Sequence, residues 1–314
     1  MRRYVIRRIL LLFPTVILLS FLVFSIIRVL PGDVVELMVS EGGYADDEAE
    51  LRDMLGLDKP LLSQYLSYMK GALTGDLGVS LWSGQPVLTE ISRRLPISFE
   101  LALMALLWTF ILGIPIGVVS ALKQDTGTDY TLRSLAIGGL SIPGFWIATL
   151  ILVFGSIWFK WVPPMNYISF EENPIQNLSQ LVVPSFVLSL ALSAAIMRMT
   201  RTMMLEVMRE DYIRTARAKG LTRLTVVVRH ALKNAMIPVV SIMGIQLAFL
   251  VGGTIIMETI FVLPGMGKYL LDAIAWRDYP VIQGINLFIC TLIITINLCV
   301  DLLYGFLDPR IRHR

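Results

Sequence analysis

Six long, uncharged apolar runs most constrain how this chain can fold. They are Ile9–Ile27, Leu101–Leu122, Ser134–Phe159, Asn173–Met197, Asn234–Met257 and Tyr279–Val300, and none contains Asp, Glu, Lys or Arg. A helix needs about 20 apolar residues to cross the hydrocarbon core of a bilayer. Only 16% of the residues are charged and 55% are hydrophobic, whereas soluble domains carry about 25% charged residues. The sequence therefore predicts an all-α transmembrane protein with six spanning helices.

The distribution of Lys and Arg predicts the orientation of these helices. Basic residues concentrate before the first run, in the segment 198–233 and at the C-terminus, and are sparser in the alternate loops. Cytoplasmic loops carry the excess of Lys and Arg, so both termini are expected in the cytoplasm. The first run resembles a signal peptide, but no small-residue cleavage site follows it, and we interpret it as a retained helix.

Three regions are expected along the chain. Residues 1–30 form the N-terminal tail and first helix, 31–97 an extracytoplasmic segment, and 98–314 a core of five further helices. Within 31–97, a short helix is predicted from Asp46 and Asp47 to Leu55, and a second after Pro60, from the spacing of Leu62, Leu66, Met69 and Leu73. Two interpretations of this acidic segment stay open: a lid over the outer face, or a docking surface for a partner.

The inner segment 198–236 has the pattern of two amphipathic helices joined by a turn. Gly220 is placed to end the first helix in a left-handed conformation, and Thr222 to cap the second. The predicted apolar stripes are Leu205, Met208, Tyr212 and Ala216 on the first helix, and Leu221, Leu224, Val228, Ala231 and Ala235 on the second. The segment suits either docking to a soluble partner or an interfacial position on anionic lipid.

Several kinds of chemistry are missing from the sequence. It contains no zinc-protease, serine-hydrolase or Walker A motif, and no acidic or basic residue within the apolar runs. These absences argue against an intramembrane enzyme and an ion-coupled carrier, but not against a channel. Cys290 and Cys299 lie on opposite faces of the last run, so they indicate neither a disulfide nor a metal site. The basic residues are dispersed, and the net charge of +3 is no nucleic-acid footprint.

One face of the last run is polar. At 100° per residue, this face carries Gln283, Asn286, Cys290, Asn297 and Asp301. Gln246 in the fifth run is a weaker candidate of the same kind. Unpaired amides are costly in hydrocarbon, so the face is expected to avoid lipid. It either lines a translocation pathway or bonds to neighbouring helices.

The cytoplasmic segment also carries a family resemblance. The residues from Glu210 to Leu221, Glu-Asp-Tyr-Ile-Arg-Thr-Ala-Arg-Ala-Lys-Gly-Leu, resemble the "EAA" loop of ATP-binding-cassette (ABC) importer permeases, in the form found in B-type dipeptide, oligopeptide, nickel and glutathione permeases. The Leu-Pro-Gly-Asp that ends at Asp33, Pro264–Gly267 and the tail Asp308–Arg312 are similar to the same family. Arg214, Thr215 and Ala216 stand where the general motif has Glu-Ala-Ala, which is usual for the peptide branch.

The resemblance implies a six-helix type I importer permease with cytoplasmic coupling helices, in a bacterial or archaeal inner membrane. Its partners would be a second homologous permease, two cytoplasmic ATPases that bind ATP and Mg²⁺, and an extracytoplasmic binding protein, while this chain binds no cofactor. The implied coupling residues are Glu210, Asp211, Tyr212, Arg214, Ala216, Arg217, Ala218 and Gly220. A stand-alone carrier or channel and a membrane scaffold are the alternatives. The cargo, whether dipeptide, oligopeptide, glutathione or nickel chelate, is not determined.

Overall fold

Helices dominate the computed structural model, which describes residues 2–29, 34–42, 52, 56–164 and 166–307. The helices are α1 (Arg2–Val29), α2 (Val34–Gly42), α3 (Leu61–Leu73), α4 (Val87–Leu122), α5 (Gly127–Ser141), α6 (Gly144–Phe159), α7 (Pro174–Val207), α8 (Asp211–Ala218), α9 (Arg223–Thr225), α10 (Lys233–Ile260), α11 (Met266–Ala275) and α12 (Tyr279–Leu307). A π-helical segment, Val226–Leu232, joins α9 to α10. The short helix predicted around Asp46 lies outside the described residues.

The third predicted span is bent rather than straight. Over the described residues, five helices are long and apolar enough to cross a membrane, and a sixth span results if α5 and α6 are counted together. The axes of α5 and α6 meet at 93°. Ile142 is extended, with φ −96° and ψ 122°, because the ring of Pro143 disfavours helical geometry in the residue before it. The uncharged run Ser134–Phe159 therefore contains a break that its composition did not predict.

The chain divides into two compact units, and the first comprises residues 1–97 and 264–298. Tyr65 of α3 joins α3 to α1: its hydroxyl donates to the carbonyl of Ile17 at 3.1 Å and contacts Oγ of Ser20 at 2.8 Å. The predicted helix after Pro60 is confirmed as α3, but its stripe is not buried. Leu62, Leu66 and Leu73 are all more than half exposed, and Tyr65 is the residue that α3 buries.

The second unit comprises residues 98–263 and 299–314. Within it, α7 packs against α5, α6 and α10. Two glycines bring α4 close to α7. A Cβ on Gly117 would lie 2.7 Å from the carbonyl oxygen of Met197, and one on Gly113 would lie 2.9 Å from Cγ2 of Ile196. Small residues allow such close approach in membrane bundles. The predicted division into 1–30, 31–97 and 98–314 stays a prediction.

Candidate coupling loop and pathway residues

The turn at Gly220 has the hydrogen bonds of a Schellman motif. The N–H of Gly220 donates to the carbonyl of Arg217 at 3.0 Å, and that of Leu221 donates to Ala216 at 3.4 Å. This motif needs a left-handed residue after the helix, and Gly220 has φ +75°. Thr222 then caps the next helix by accepting from the N–H of Thr225. The structure has both features where the sequence predicted them.

A buried cluster holds the loop against the ends of α4 and α7. Ile213 and Ala216 of α8 are buried, and they pack with Met204, Val226 and Ala231. The cluster also contains Ala121, Val227 and Ala235. The cluster fixes the loop on the second unit by contacts from both of its helices.

The predicted stripes are partly wrong. Tyr212 is 41% exposed, and its neighbour Ile213 is the buried residue. In the second helix Leu224 and Val228 are exposed, while Val226 and Val227 are buried. The stripe assumed 3.6 residues per turn, but Val226–Leu232 is π-helical, with hydrogen bonds from i to i+5. The longer turn shifts which side chains face the cluster.

The other predicted coupling residues lie on the outside of this loop. Arg214 and Asp211 form an exposed ion pair at 3.0 Å. The hydroxyl of Tyr212 accepts from Nδ2 of Asn234 at 2.9 Å, which ties α8 to the first turn of α10. Glu210, Arg217, Ala218 and Gly220 are exposed. Together these residues form the solvent-facing side of a loop whose inner side is packed.

A buried ion pair beside the loop was missed by the sequence reasoning. Asp129 is fully buried, and its carboxylate accepts from Nε and Nη2 of Arg201 at 2.9 and 2.7 Å. Ser120 and the N–H of Asp125 donate to the same carboxylate. This two-pronged pair connects the start of α5 to α7 near the end of α4. The sequence offered one signal for this pair: Asp129 and Arg201 have opposite charges and lie close to the ends of two predicted spans.

The predicted pathway residues fall in different environments. Gln283 is 6% exposed and lines a cavity of the first unit. Asn286 is half-buried, and its amide donates to the carbonyl of Ile282 in its own helix at 2.8 Å. Asn297 is exposed, and Gln246 of the second unit is half-buried. The side chain of Asp301 lies outside the described residues. Gln283 is buried and Asn286 bonds within its own helix, so their environments differ from that of the exposed Asn297.

Comparison with known families accounts for nearly the whole chain. Residues 113–313 match the family described as the binding-protein-dependent transport system inner membrane component. Residues 1–102 match the N-terminal region of the membrane component of the same systems. The chain belongs to this family. It is the transmembrane permease subunit of an ABC importer and is not itself an ATPase.

Curated relatives are similar over their full length. The chain is 41% identical to the dipeptide transport system permease protein DppB of Escherichia coli K12 and 40% identical to the di/tripeptide permease DppB of Pseudomonas aeruginosa. In both cases all of the chain and all of the relative are covered. An inward-facing structure of the MetNI methionine ABC transporter aligns with a TM-score of 0.55 at 18% identity. The alignment covers 69% of this chain and 96% of that one, which supports the type I permease fold.

Proposed function

We propose that this permease imports short peptides and that both of its termini are cytoplasmic. The peptide class is supported by the names of the full-length relatives, which transport dipeptides and tripeptides. The orientation is supported by the concentration of Lys and Arg in the termini and in 198–233. In this orientation the Gly220 turn lies on the cytoplasmic side, where ATP is available.

The proposed assembly contains three kinds of partner. A second homologous permease completes the pathway, two cytoplasmic ATPases bind ATP and Mg²⁺, and an extracytoplasmic protein delivers the peptide. The family is defined by its dependence on a binding protein. In the described part of the chain, no group of His, Cys, Asp or Glu is arranged to hold a metal ion.

Exposed apolar side chains on the loop support the proposal that the loop docks to an ATPase. We call it the docking patch: Tyr212, Leu221, Leu224 and Val228, which are 41%, 40%, 74% and 53% exposed. All four side chains belong to the segment 211–232, and a contiguous exposed apolar surface marks a protein interaction site. The adjoining Arg214, Arg217 and Arg223 are also exposed and give the patch a basic margin. A groove on the ATPase with an apolar floor and an acidic edge would complement it.

Substitution of Leu224 tests the docking patch. Leu224→Glu places a charge in the centre of the proposed interface, where an unpaired buried charge is strongly unfavourable. We expect the ATPases to dissociate from the permease during purification. Ile175→Glu is the matched control, because Ile175 is 81% exposed at the start of α7, far along the chain from the loop. Full retention of the ATPases by Leu224→Glu would refute the assignment.

We further propose that Asn297, together with Gln246, Gln283, Asn286 and Asp301, contributes to the translocation pathway. An exposed amide in a spanning helix is costly if it faces lipid, so the exposure of Asn297 favours a wet surface. Cysteine accessibility tests this on a background without Cys290 and Cys299. Asn297→Cys should react with a small water-soluble thiol reagent, whereas Thr295→Cys, exposed but on roughly the opposite face, should not. If Asn286→Cys and Asn297→Cys both stay unreactive with and without ATP, the polar face is a packing surface.

A further inference from the structure

The first unit contains a cavity with a mixed polar and apolar lining that the proposed coupling does not use. Its volume is about 420 Å³, within the range of about 300–1,000 Å³ that is usual for small-molecule sites. It is bounded by the end of α1, by the segment from Gly56 to Gly78 and by the start of α12. Its polar lining includes Arg28, Lys59, Gln64, Tyr68, Asp76 and Gln283.

Two buried amide atoms in this lining have no hydrogen-bond partner among the residues that the structure describes. Nε2 of Gln283 is buried and makes no hydrogen bond within the described part of the chain. The amide nitrogen of Gln64 donates to the carbonyls of Leu57 and Lys59 at 3.0 and 2.8 Å, but its Oε1 is buried and has no partner among the described residues. Buried polar groups normally find partners. The cavity therefore presents one unused donor and one unused acceptor, which matches the carbonyl and N–H of a peptide group.

Groups of opposite charge are among the lining residues of the cavity. The side chain of Lys59 follows the wall beside Gly56, with Nζ 3.7 Å from where a Cβ of Gly56 would lie. Asp76 is held in a tight turn: its N–H donates to the carbonyl of Gly71 at 2.9 Å, and its Oδ1 accepts from the N–H of Gly78 at 2.9 Å. Both side chains are exposed. One ammonium and one carboxylate are complementary to the two ends of a zwitterion.

The walls of the cavity are fixed by their own contacts. The hydroxyl of Tyr68 donates to the backbone carbonyl of Gln283 at 3.0 Å, which joins α3 to α12. The guanidinium of Arg28 lies 4.7 Å from the ring centroid of Tyr279 and 5.3 Å from that of Phe24. A pocket with walls held in this way is largely formed before a ligand arrives, which reduces the ordering cost of binding.

We infer that this cavity binds a short zwitterionic peptide on the permease itself. Gln64 and Gln283 bond to its peptide group, Lys59 pairs with its carboxylate and Asp76 with its amino group. The choice of a peptide rests on the proposed function, whereas the cavity and its unpaired amides do not. The site gives Gln283 a specific role in substrate binding, in addition to its position on the polar face of α12.

The test is calorimetric titration of the purified permease–ATPase complex in nanodiscs, without the binding protein, with alanyl-alanine as the probe. We expect saturable binding, weakened at least tenfold by Gln283→Leu. Lys59→Gln should weaken binding of alanyl-alanine but not of its carboxamide, and Asp76→Asn should weaken binding of the free dipeptide but not of its N-acetyl derivative. Lys70→Gln is the control, because Lys70 is an exposed lysine of α3 outside the lining.

The outcomes separate this site from the proposed import function. Absence of saturable binding in a complex that still takes up peptide with its binding protein would overturn the cavity site and leave the function standing. Equal binding by wild type, Lys59→Gln and Asp76→Asn would also overturn it. The cavity site would likewise be overturned if Lys59→Gln and Asp76→Asn weaken docking of the binding protein but leave dipeptide binding unchanged. Lys59→Gln and Asp76→Asn change exposed side chains, so they remain informative even if Gln283→Leu fails to fold.

Discussion

Replacement of Gly220 tests whether the shape of the loop is required for coupling. A Cβ on Gly220 would meet no atom within 4 Å, so a side chain there causes no collision. The cost is confined to the backbone, because φ is +75°. A left-handed conformation costs about 1–2 kcal/mol for an L-residue, and more for a β-branched one. Such a change shifts an equilibrium about 5- to 30-fold.

We expect a graded series. Gly220→Asn should be nearly neutral, since Asn tolerates the left-handed region, Gly220→Ala should reduce coupling severalfold, and Gly220→Val should reduce it most. The assay is ATP hydrolysis by the reconstituted complex, stimulated by the binding protein, with retention of the ATPases measured on the same samples. All variants should insert into the membrane at wild-type levels.

Gly84 supplies a matched control for backbone strain. It has φ +67° and, like Gly220, no atom within 4 Å of a built Cβ, but it lies in the segment 31–97. Gly84→Val therefore introduces a similar strain away from the loop and should leave ATPase retention unchanged. Wild-type coupling by Gly220→Val, or equal loss of retention in both valine variants, would refute the reasoning.

Two further predictions concern the buried ion pair and the orientation of the chain. Asp129→Asn leaves Arg201 without its buried counter-charge, which costs about 3–5 kcal/mol and should lower the melting temperature of the protein. Asp211→Asn breaks only an exposed ion pair and should leave the melting temperature unchanged. Equal melting temperatures for the two variants would contradict this prediction. On a background without native cysteines, an impermeant thiol reagent should label Ser83→Cys from outside and Thr128→Cys only from inside, and the reverse pattern would exclude the proposed orientation.

The local features of the loop could be predicted because they depend on neighbouring residues. A glycine after a helix and a threonine before the next one have specific backbone roles, and Gly220 and Thr222 adopt them. The apolar spans were predictable for a similar reason, since hydrocarbon excludes charge over a fixed length. The break at Pro143 was missed because prolines are tolerated within membrane helices, so its presence alone did not indicate a bend.

Features that depend on distant contacts could not be predicted. Asp129 and Arg201 are 72 residues apart, so no local sequence pattern pairs them. The register error in the second predicted helix of the loop has a related cause. Nothing local in Val226–Leu232 requires a π-helical turn, and burial of Val226 and Ala231 in one cluster with α4 and α7 is a tertiary contact. Periodicity read at 3.6 residues per turn fails where the turn itself is longer.

The second helix of the loop is continuous with a spanning helix, which bears on how the proposed docking would act on the membrane. The helical segments from residue 223 to residue 260, which are α9, the π-helical segment and α10, follow one another without a gap. Leu224 and Val228 of the docking patch therefore belong to the same continuous helical segment as α10. The buried cluster packs this helical segment against Met204 of α7 and Ala121 of α4. A force on the patch would therefore act on α10 and on the parts of α4 and α7 that the cluster contacts. Close-packed interiors have low compressibility and transmit strain, so on the proposed function a small ATP-driven displacement at the loop would reach the spanning helices.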